Sequence, residues 1–187
     1  MKYLLIVLCL FFAGCDVAID VSGPAFEVAR TKEIPVANLP ASLRIDNWLS
    51  PSREGSCTHA TLAMALRWQN RPHTADWWKA HHSGGETPQS LSAKLESAGI
   101  RFATTAGEND VTFLEWAIAT RRGCGVTVLG GRHMVLLVHL DDEHAGIIDA
   151  NAPQSVQWTS REAFLAEWRN SNSWAIVPVY SPAPGLP

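Results

Sequence analysis

The chain of 187 residues has the length of one globular domain, and its hydrophobic content of 47% is enough to bury a core. Its formal net charge is −3, and its acidic and basic residues are interspersed without a basic block or stripe. This pattern lacks the electrostatic signature of a nucleic-acid-binding surface, so no nucleic-acid partner is expected.

Residues 1–14 have the pattern of a targeting segment. Lys2 precedes an unbroken apolar run of eleven residues, 3–13. This run is too short to span a bilayer, which takes about 20 residues, but it suits the central region of a signal peptide. The ending Ala13-Gly14-Cys15 resembles a bacterial lipobox, although Phe12 stands where that motif usually has Leu.

The lipobox resemblance implies that Cys15 carries the lipid, including a palmitate, and becomes the mature N-terminus. The protein would then be a lipoprotein on the extracytoplasmic, periplasmic face of a bacterial membrane. An ordinary cleaved signal peptide with an incidental Cys15 is the alternative. Residues 15–42 contain scattered prolines and little periodicity, so they are interpreted as a lipid-anchored tether with at most one short edge strand. Residues 43–187 form the predicted domain.

Helices dominate the first half of this domain. An apolar stretch predicts a helix over 57–69, with Ser56 as its N-cap. Thr74 and Asp76 begin a short helix through Trp78, and Thr87-Pro88 begins a helix that ends at Ala98. A further helix is predicted over 111–122, capped by Asp110.

Strands dominate the second half. The apolar residues change from helical spacing to the alternation typical of strands. They predict five strands, at 126–129, 133–140, 145–149, 156–158 and 174–180. A capping-box sequence at 159–162 predicts one more helix through Trp168. Helices followed by mostly sequential strands favour an α+β fold with an antiparallel sheet.

Cys57 is the first candidate for chemistry. It follows the polar Gly55-Ser56 step and occupies the first turn of the most apolar helix in the chain. A helix N-terminus carries free N–H groups and partial positive charge, which favour a thiolate over a thiol. A small buried hydrophobe at a helix start explains this segment equally well.

His133 is the candidate general base for Cys57. The segment 133–151 has the pattern of a β-hairpin, with an apolar strand, a charged turn at 141–143 and a second apolar strand. A turn centred on Asp141 or Asp142 places either Asp149 or Asn151 across from His133. A general base needs such a neighbour to fix its tautomer and orientation.

Together, these two segments resemble a papain-like cysteine peptidase, most closely the bacterial peptidases that process double-glycine leaders. The resemblance implies a papain-like fold with the nucleophile at the start of a central helix. It implies that Cys57 is the nucleophile, His133 the general base, and Asp149 the orienting residue, with Asn151 as the alternative because papain uses Asn. It also implies a peptide or protein substrate and no cofactor.

Two departures from the family pattern leave alternatives open. The family places a Gln, a donor to the reacting oxyanion, about six residues before the nucleophile, where this chain has Pro51. Asn47 and Ser52 are the nearest polar substitutes, at other spacings. The chain is therefore expected to be a membrane-anchored thiol hydrolase, with a non-catalytic binding lipoprotein or a thiol acyltransferase as the alternatives.

Cys124, His59, His139 and the adjacent pair His81-His82 are not expected to act in the site. Cys124 is expected to be inert, although a disulfide with Cys57 is the competing hypothesis. His59 is expected to be a partly exposed helix residue, and His139 a strand residue outside the site. The adjacent His81 and His82 have no thiol or acidic neighbour at zinc-site spacing, so no metal site is predicted.

Overall fold

The computed structural model describes residues 36–107 and 109–180 of the chain. The predicted signal peptide, the lipidation site Cys15 and most of the predicted tether lie outside these residues. Within them, no helix combines the length and the apolar character that crossing a membrane requires.

The described chain contains five α-helices, one 3₁₀ turn and six strands. The 3₁₀ turn covers Ala41–Leu43. The helices are α1 Cys57–Trp68, α2 Pro72–His81, α3 Pro88–Ser97, α4 Val111–Ala119 and α5 Arg161–Asn170. The strands are β1 Phe102–Thr105, β2 Cys124–Val128, β3 His133–Leu140, β4 His144–Ile148, β5 Gln157–Ser160 and β6 Ala175–Pro178.

The strands form one antiparallel sheet in the order β1-β6-β2-β3-β4-β5. The long strand β3 lies near its centre and pairs with β2 on one side and β4 on the other. The predicted α+β class with an antiparallel sheet is confirmed. Strand β1 was missed, because its four residues are not strongly apolar and offer little alternation to detect.

The sheet separates two hydrophobic cores. Met134, Leu136 and Val138 of β3 belong to the core that contains the apolar residues of α1, α2 and α3. Val135 and Leu137 alternate with them and belong to the core under α4 and α5. Because successive strand residues point to opposite faces, helices cover both faces of this sheet.

The helix caps follow the sequence signal at α3, are shifted by one residue from the predicted box 159–162 at α5, and depart from the signals at α4 and α1. Thr87 begins α3 with a reciprocal capping box, and Ser160 accepts a hydrogen bond from Ala163 N at the start of α5. Asp110 does not cap α4, because its carboxylate accepts hydrogen bonds from the hydroxyls of Thr105 and Thr112. Ser56 occupies the N-cap position of α1 without capping it.

Four helix boundaries differ from the prediction by two or three residues, and these include the ends of α2 at His81 and of α5 at Asn170. Helix α2 begins at Pro72, two residues before Thr74, since proline is well tolerated in the first turn of a helix. Helix α4 ends at Ala119, and Arg121 then adopts a left-handed conformation with φ of 58°, so the helix does not continue to Arg122.

The described part of the predicted tether packs on the domain. Ala37 and Leu39 are fully buried in the core that contains α1. Ala37 N also donates a hydrogen bond to Val138 O in β3, at 2.8 Å. The predicted tether therefore contributes Ala37 and Leu39 to the core. The site described next lies at the start of α1 and of β3.

Candidate active site

Cys57 is the first residue of α1 and is 8% exposed. The helix start is fixed by Ala60 N, which donates to Ser56 O at 2.9 Å. The Ser56 hydroxyl is not available as a cap, because it accepts a hydrogen bond from Gly84 N at 2.9 Å. The first-turn N–H groups beside the Cys57 sulfur are thus left without a side-chain cap.

His133 is the first residue of β3, and its side chain is almost fully buried. The ring Nε2 lies 2.9 Å from Oδ1 of Asp149, the residue that follows β4. The same Oδ1 accepts a hydrogen bond from Asn151 N at 2.8 Å. The carboxylate therefore holds the imidazole and is itself held by the backbone that follows it.

The strand register alone does not explain this pairing. In β3 and β4, Leu136 pairs with Ile148, and continuing this register would place His133 opposite Asn151. Strand β4 ends at Ile148, so Asp149 is beyond the regular ladder, and it is the residue that contacts the ring. Asp149 and Asn151 are two positions apart, which is within reach of a diagonal cross-strand contact.

The second ring nitrogen of His133, Nδ1, has no aligned hydrogen bond within the described part of the chain. The ring nevertheless interacts with the Cys57 thiol. Pairs of a nucleophile and a base are often poorly aligned until a substrate is bound. With Nε2 held by Asp149, Nδ1 is the nitrogen left to exchange a proton with Cys57.

Burial and charge act in opposite directions on this pair. Burial raises the pKa of the Cys57 thiol, but hydrogen bonding and charge attraction from His133, together with hydrogen bonds from the Met134 backbone and the Thr58 side chain, outweigh burial and lower the pKa. Burial lowers the pKa of His133, but Asp149 and Cys57 together raise it to about 9. Both shifts favour a thiolate beside an imidazolium.

Asn151, the alternative orienting residue, has a different contact. Its side-chain Oδ1 accepts a hydrogen bond from Asn47 Nδ2 at 2.8 Å. Asn47 N also donates to Ala150 O at 2.8 Å, and Asn47 Oδ1 accepts from Ser56 N at 2.8 Å. Asn47 thus connects the residue before Cys57 to the segment that carries Asp149.

His59 is fully buried, so the expectation of a partly exposed residue was wrong. Its Nδ1 accepts a hydrogen bond from Trp78 Nε1 at 3.2 Å, and its Nε2 lies 3.3 Å from Glu86 Oε1. Burial lowers the pKa of His59 to about 4, with Glu86 opposing this effect. Through Glu86, the neutral ring connects α1 to the loop 82–87. Lys94 and Ser90 of α3 contact the same carboxylate.

A cleft of about 370 Å³ opens over these residues. One side carries Cys57 and His133, and the rest of its lining comprises Asn47, Glu54, Gly55, Thr58, Gly85, Glu86, Pro88, Thr127, Gly131, Arg132, Met134 and Trp174. The carboxylates and Trp174 were not anticipated from the sequence. The Gly84-Gly85 step before Glu86 is the one sequence signal that could have pointed to this wall of the cleft, since glycines leave room where a chain approaches closely.

The remaining candidates lie apart from the cleft. Cys124 is fully buried in the second core and, like Cys57, is a free cysteine, so the disulfide hypothesis fails in this structure. Burial raises the pKa of the Cys124 thiol far above its usual value. His139 Nε2 lies 2.8 Å from Asp141 Oδ2 at the hairpin turn. Ser52 lies in an exposed turn, where its hydroxyl contacts Ser50 and Glu54.

Comparison with solved structures identifies the fold. A C39-like peptidase from Bacillus anthracis superposes with a TM-score of 0.54 at 14% identity, over 81% of this chain and 100% of that chain. The predicted papain-like peptidase fold is therefore confirmed.

Two further structures are similar over part of the chain. One is a double-glycine-motif protease from an AMS/PCAT transporter, in complex with the leader peptide, with a TM-score of 0.48 at 15% identity, over 73% of this chain and 94% of that one. The other is the peptidase domain of Streptococcus mutans ComA with a small-molecule inhibitor, with a TM-score of 0.39 at 21% identity, over 49% of this chain and 73% of that one. No protein-family profile and no curated protein matches the sequence.

Proposed function

We propose that the chain is a cysteine-peptidase-like thiol hydrolase that cleaves a peptide or amide bond. One observation carries this proposal: a buried carboxylate–imidazole pair, Asp149 and His133, meets a thiol of lowered pKa, Cys57, in an open cleft. Nucleophilic catalysis needs a nucleophile, a base and a group that orients the base. We assign these roles to Cys57, His133 and Asp149, respectively. The C39-like peptidase fold agrees with this assignment.

The proposed reaction begins with attack of the Cys57 thiolate on the carbonyl carbon of the substrate. The resulting tetrahedral intermediate carries its negative charge on oxygen and collapses to a thioester, while the released amine takes the proton held by His133. Water then gives a proton to His133 and attacks the thioester. The second tetrahedral intermediate expels the Cys57 thiolate and releases the carboxylic acid, while His133 keeps the proton taken from water. The thiolate–imidazolium pair is thus restored, and one water is consumed for each bond cleaved.

The proposed substrate is a peptide or protein that reaches the enzyme outside the cytoplasm. The lipobox-like ending at Cys15 supports a lipid anchor on the extracytoplasmic face of a bacterial membrane. The cleft supports a chain-like substrate, because Gly85 and Gly131 line it without bulky side chains. The carboxylates Glu54 and Glu86 also face this cleft, and Arg132 lines it as well.

The rate of thiol alkylation against pH tests the catalytic pair. The full chain, purified in detergent, is treated with iodoacetamide, and modification of Cys57 is followed by mass spectrometry. We expect Cys57 to alkylate well below the pH at which an ordinary thiol reacts. In His133→Ala this advantage disappears, because burial then raises the pKa of the thiol without an opposing charge.

The matched control is His139→Ala, which removes a histidine of the same strand that contacts Asp141 instead of the cleft. Its Cys57 profile should equal that of the wild type. A wild-type Cys57 that reacts like an ordinary thiol would overturn the catalytic proposal and favour a papain-like binding protein.

A further inference from the structure

The cleft contains the side-chain amide of Asn47, a hydrogen-bond donor of the same chemical type as the glutamine that the chain lacks at Pro51. Pro51 stands where the family has its side-chain donor, and proline has neither a side-chain donor nor a backbone N–H. Asn47 lies ten residues before Cys57 (57 − 47 = 10), yet it lines the same cleft as Cys57 and His133. The path of the chain through the turn at 50–54 brings it there.

Hydrogen bonds fix which end of the Asn47 amide is the donor. Its Oδ1 accepts from Ser56 N at 2.8 Å, and an N–H can only donate, so this atom must be the oxygen. The nitrogen Nδ2 therefore carries two hydrogens. One is donated to Asn151 Oδ1 at 2.8 Å. The other has no acceptor among the described residues, and the side chain lines the cleft.

The Asn47 nitrogen lies beside the residues that lead into Cys57. A Cβ placed on Gly55 would lie 3.1 Å from Asn47 Nδ2, so the absence of a side chain at this position leaves space for the amide. Ser52, the other polar candidate in the sequence, is excluded by its contacts. Its hydroxyl bonds to Ser50 and Glu54 in an exposed turn and is not part of the cleft lining.

We infer that the Asn47 side-chain amide is the oxyanion donor of this site, acting with the backbone N–H of Cys57. The inference rests on the proposed thiol hydrolase function. When the thiolate attacks, the negative charge forms on the former carbonyl oxygen, and donors held in place beforehand stabilise it without further rearrangement. Asn47 is held in place by three hydrogen bonds, through its backbone N–H, its Oδ1 and its Nδ2.

The test compares two reactions of the same sulfur. Acylation by p-nitrophenyl acetate passes through a tetrahedral oxyanion, whereas alkylation by iodoacetamide displaces iodide and forms none. Both are measured on the full chain in detergent, at a pH where Cys57 is fully ionised, with Cys57→Ala as the blank. In Asn47→Ala we expect acylation to slow by about 10²–10³-fold while the alkylation rate is unchanged.

Asn47→Asp keeps the shape and the acceptor for Ser56 N but cannot donate, so it tests the donor without opening a hole. It should show the same selective loss, whereas Ser52→Ala should acylate at the wild-type rate. Acylation that is undiminished in both Asn47 variants overturns the inference, as does an equal loss of acylation and alkylation, which indicates a purely structural residue. If the wild-type Cys57 neither acylates nor shows a lowered pKa, the proposed function itself fails.

Discussion

Asp149 determines the pH at which the His133 ring loses its proton. Its negative charge and its hydrogen bond favour the charged imidazolium, and together with Cys57 they raise the pKa of His133 from 6.5 to about 9 despite burial. In Asp149→Asn, a neutral amide replaces the carboxylate and the opposing effect of burial remains. Cys57 still favours the imidazolium in this variant, so we expect the midpoint of the His133 ring titration, measured by NMR, to fall from about 9 toward 6.5.

The Asp141→Asn variant is a suitable control for this titration. Asp141 also bonds to a histidine, His139, but at the turn of the hairpin and away from the cleft. Its replacement should leave the midpoint of His133 in place. A His133 midpoint that does not move in Asp149→Asn would contradict the assignment of Asp149 as the orienting residue and return Asn151 to consideration.

The strand β4 depends on a glycine where three strands meet. Gly146 pairs with His139 of β3 on one side and with Trp158 of β5 on the other. A Cβ added at this position would lie 3.0 Å from the indole ring of Trp158 and 3.1 Å from His139 Cβ. The two rings meet edge to face across this space, with centroids 5.1 Å apart.

Gly146→Ala should therefore destabilise the sheet. Overpacking of this kind costs about 1–3 kcal/mol of unfolding free energy, which urea denaturation can measure. The control is Gly85→Ala, since a Cβ there would contact nothing within 4 Å, and its unfolding free energy should stay within about 0.5 kcal/mol of the wild type. Equal unfolding midpoints for the two variants would show that the rings yield to the added methyl group.

The whole sheet separates the two cysteines of the described chain. Cys57 belongs to the core on the side of α1, and Cys124 to the core on the side of α4 and α5. Cys124 is fully buried, so iodoacetamide should reach it only when the domain unfolds. We expect native Cys124 to react at least about 10³-fold more slowly than it does in denaturant, because the unfolded fraction of a stable domain is that small.

Mass spectrometry of the unreduced protein provides the check on this prediction. Two free thiols at Cys57 and Cys124 are expected, with the native reaction confined to Cys57. A mass lower by two hydrogens and a linked pair of peptides would contradict the separation of the two cores.

The proposed membrane location depends on residues outside the described part of the chain. If Cys15 is lipidated, the wild-type protein expressed in bacteria should sediment with the membranes and incorporate labelled palmitate. Cys15→Ala should lose both properties, because removing the lipidated residue removes the anchor. Palmitate labelling that survives in Cys15→Ala would contradict the lipobox assignment, and an unlabelled wild type would favour an ordinary signal peptide.

The sequence by itself determined the elements that present the reactive groups. The uninterrupted apolar stretch after Cys57 was enough to predict α1, and the hydrophobic strand that begins at His133 was enough to predict β3, which spans His133–Leu140 in the structure. These are local signals, since the periodicity of a helix or strand and its boundary residues are encoded within a few turns of chain. The charged turn likewise restricted the partner of His133 to two residues.

Only the tertiary structure decided which groups meet. Strand β4 ends at Ile148, and Asp149 beyond it contacts His133, although continuing the regular register would place Asn151 opposite that ring. The fold also brought Asn47 into the cleft and buried His59 against Glu86. Such contacts depend on irregular backbone and on elements far apart in the chain, so no local pattern of residues encodes them.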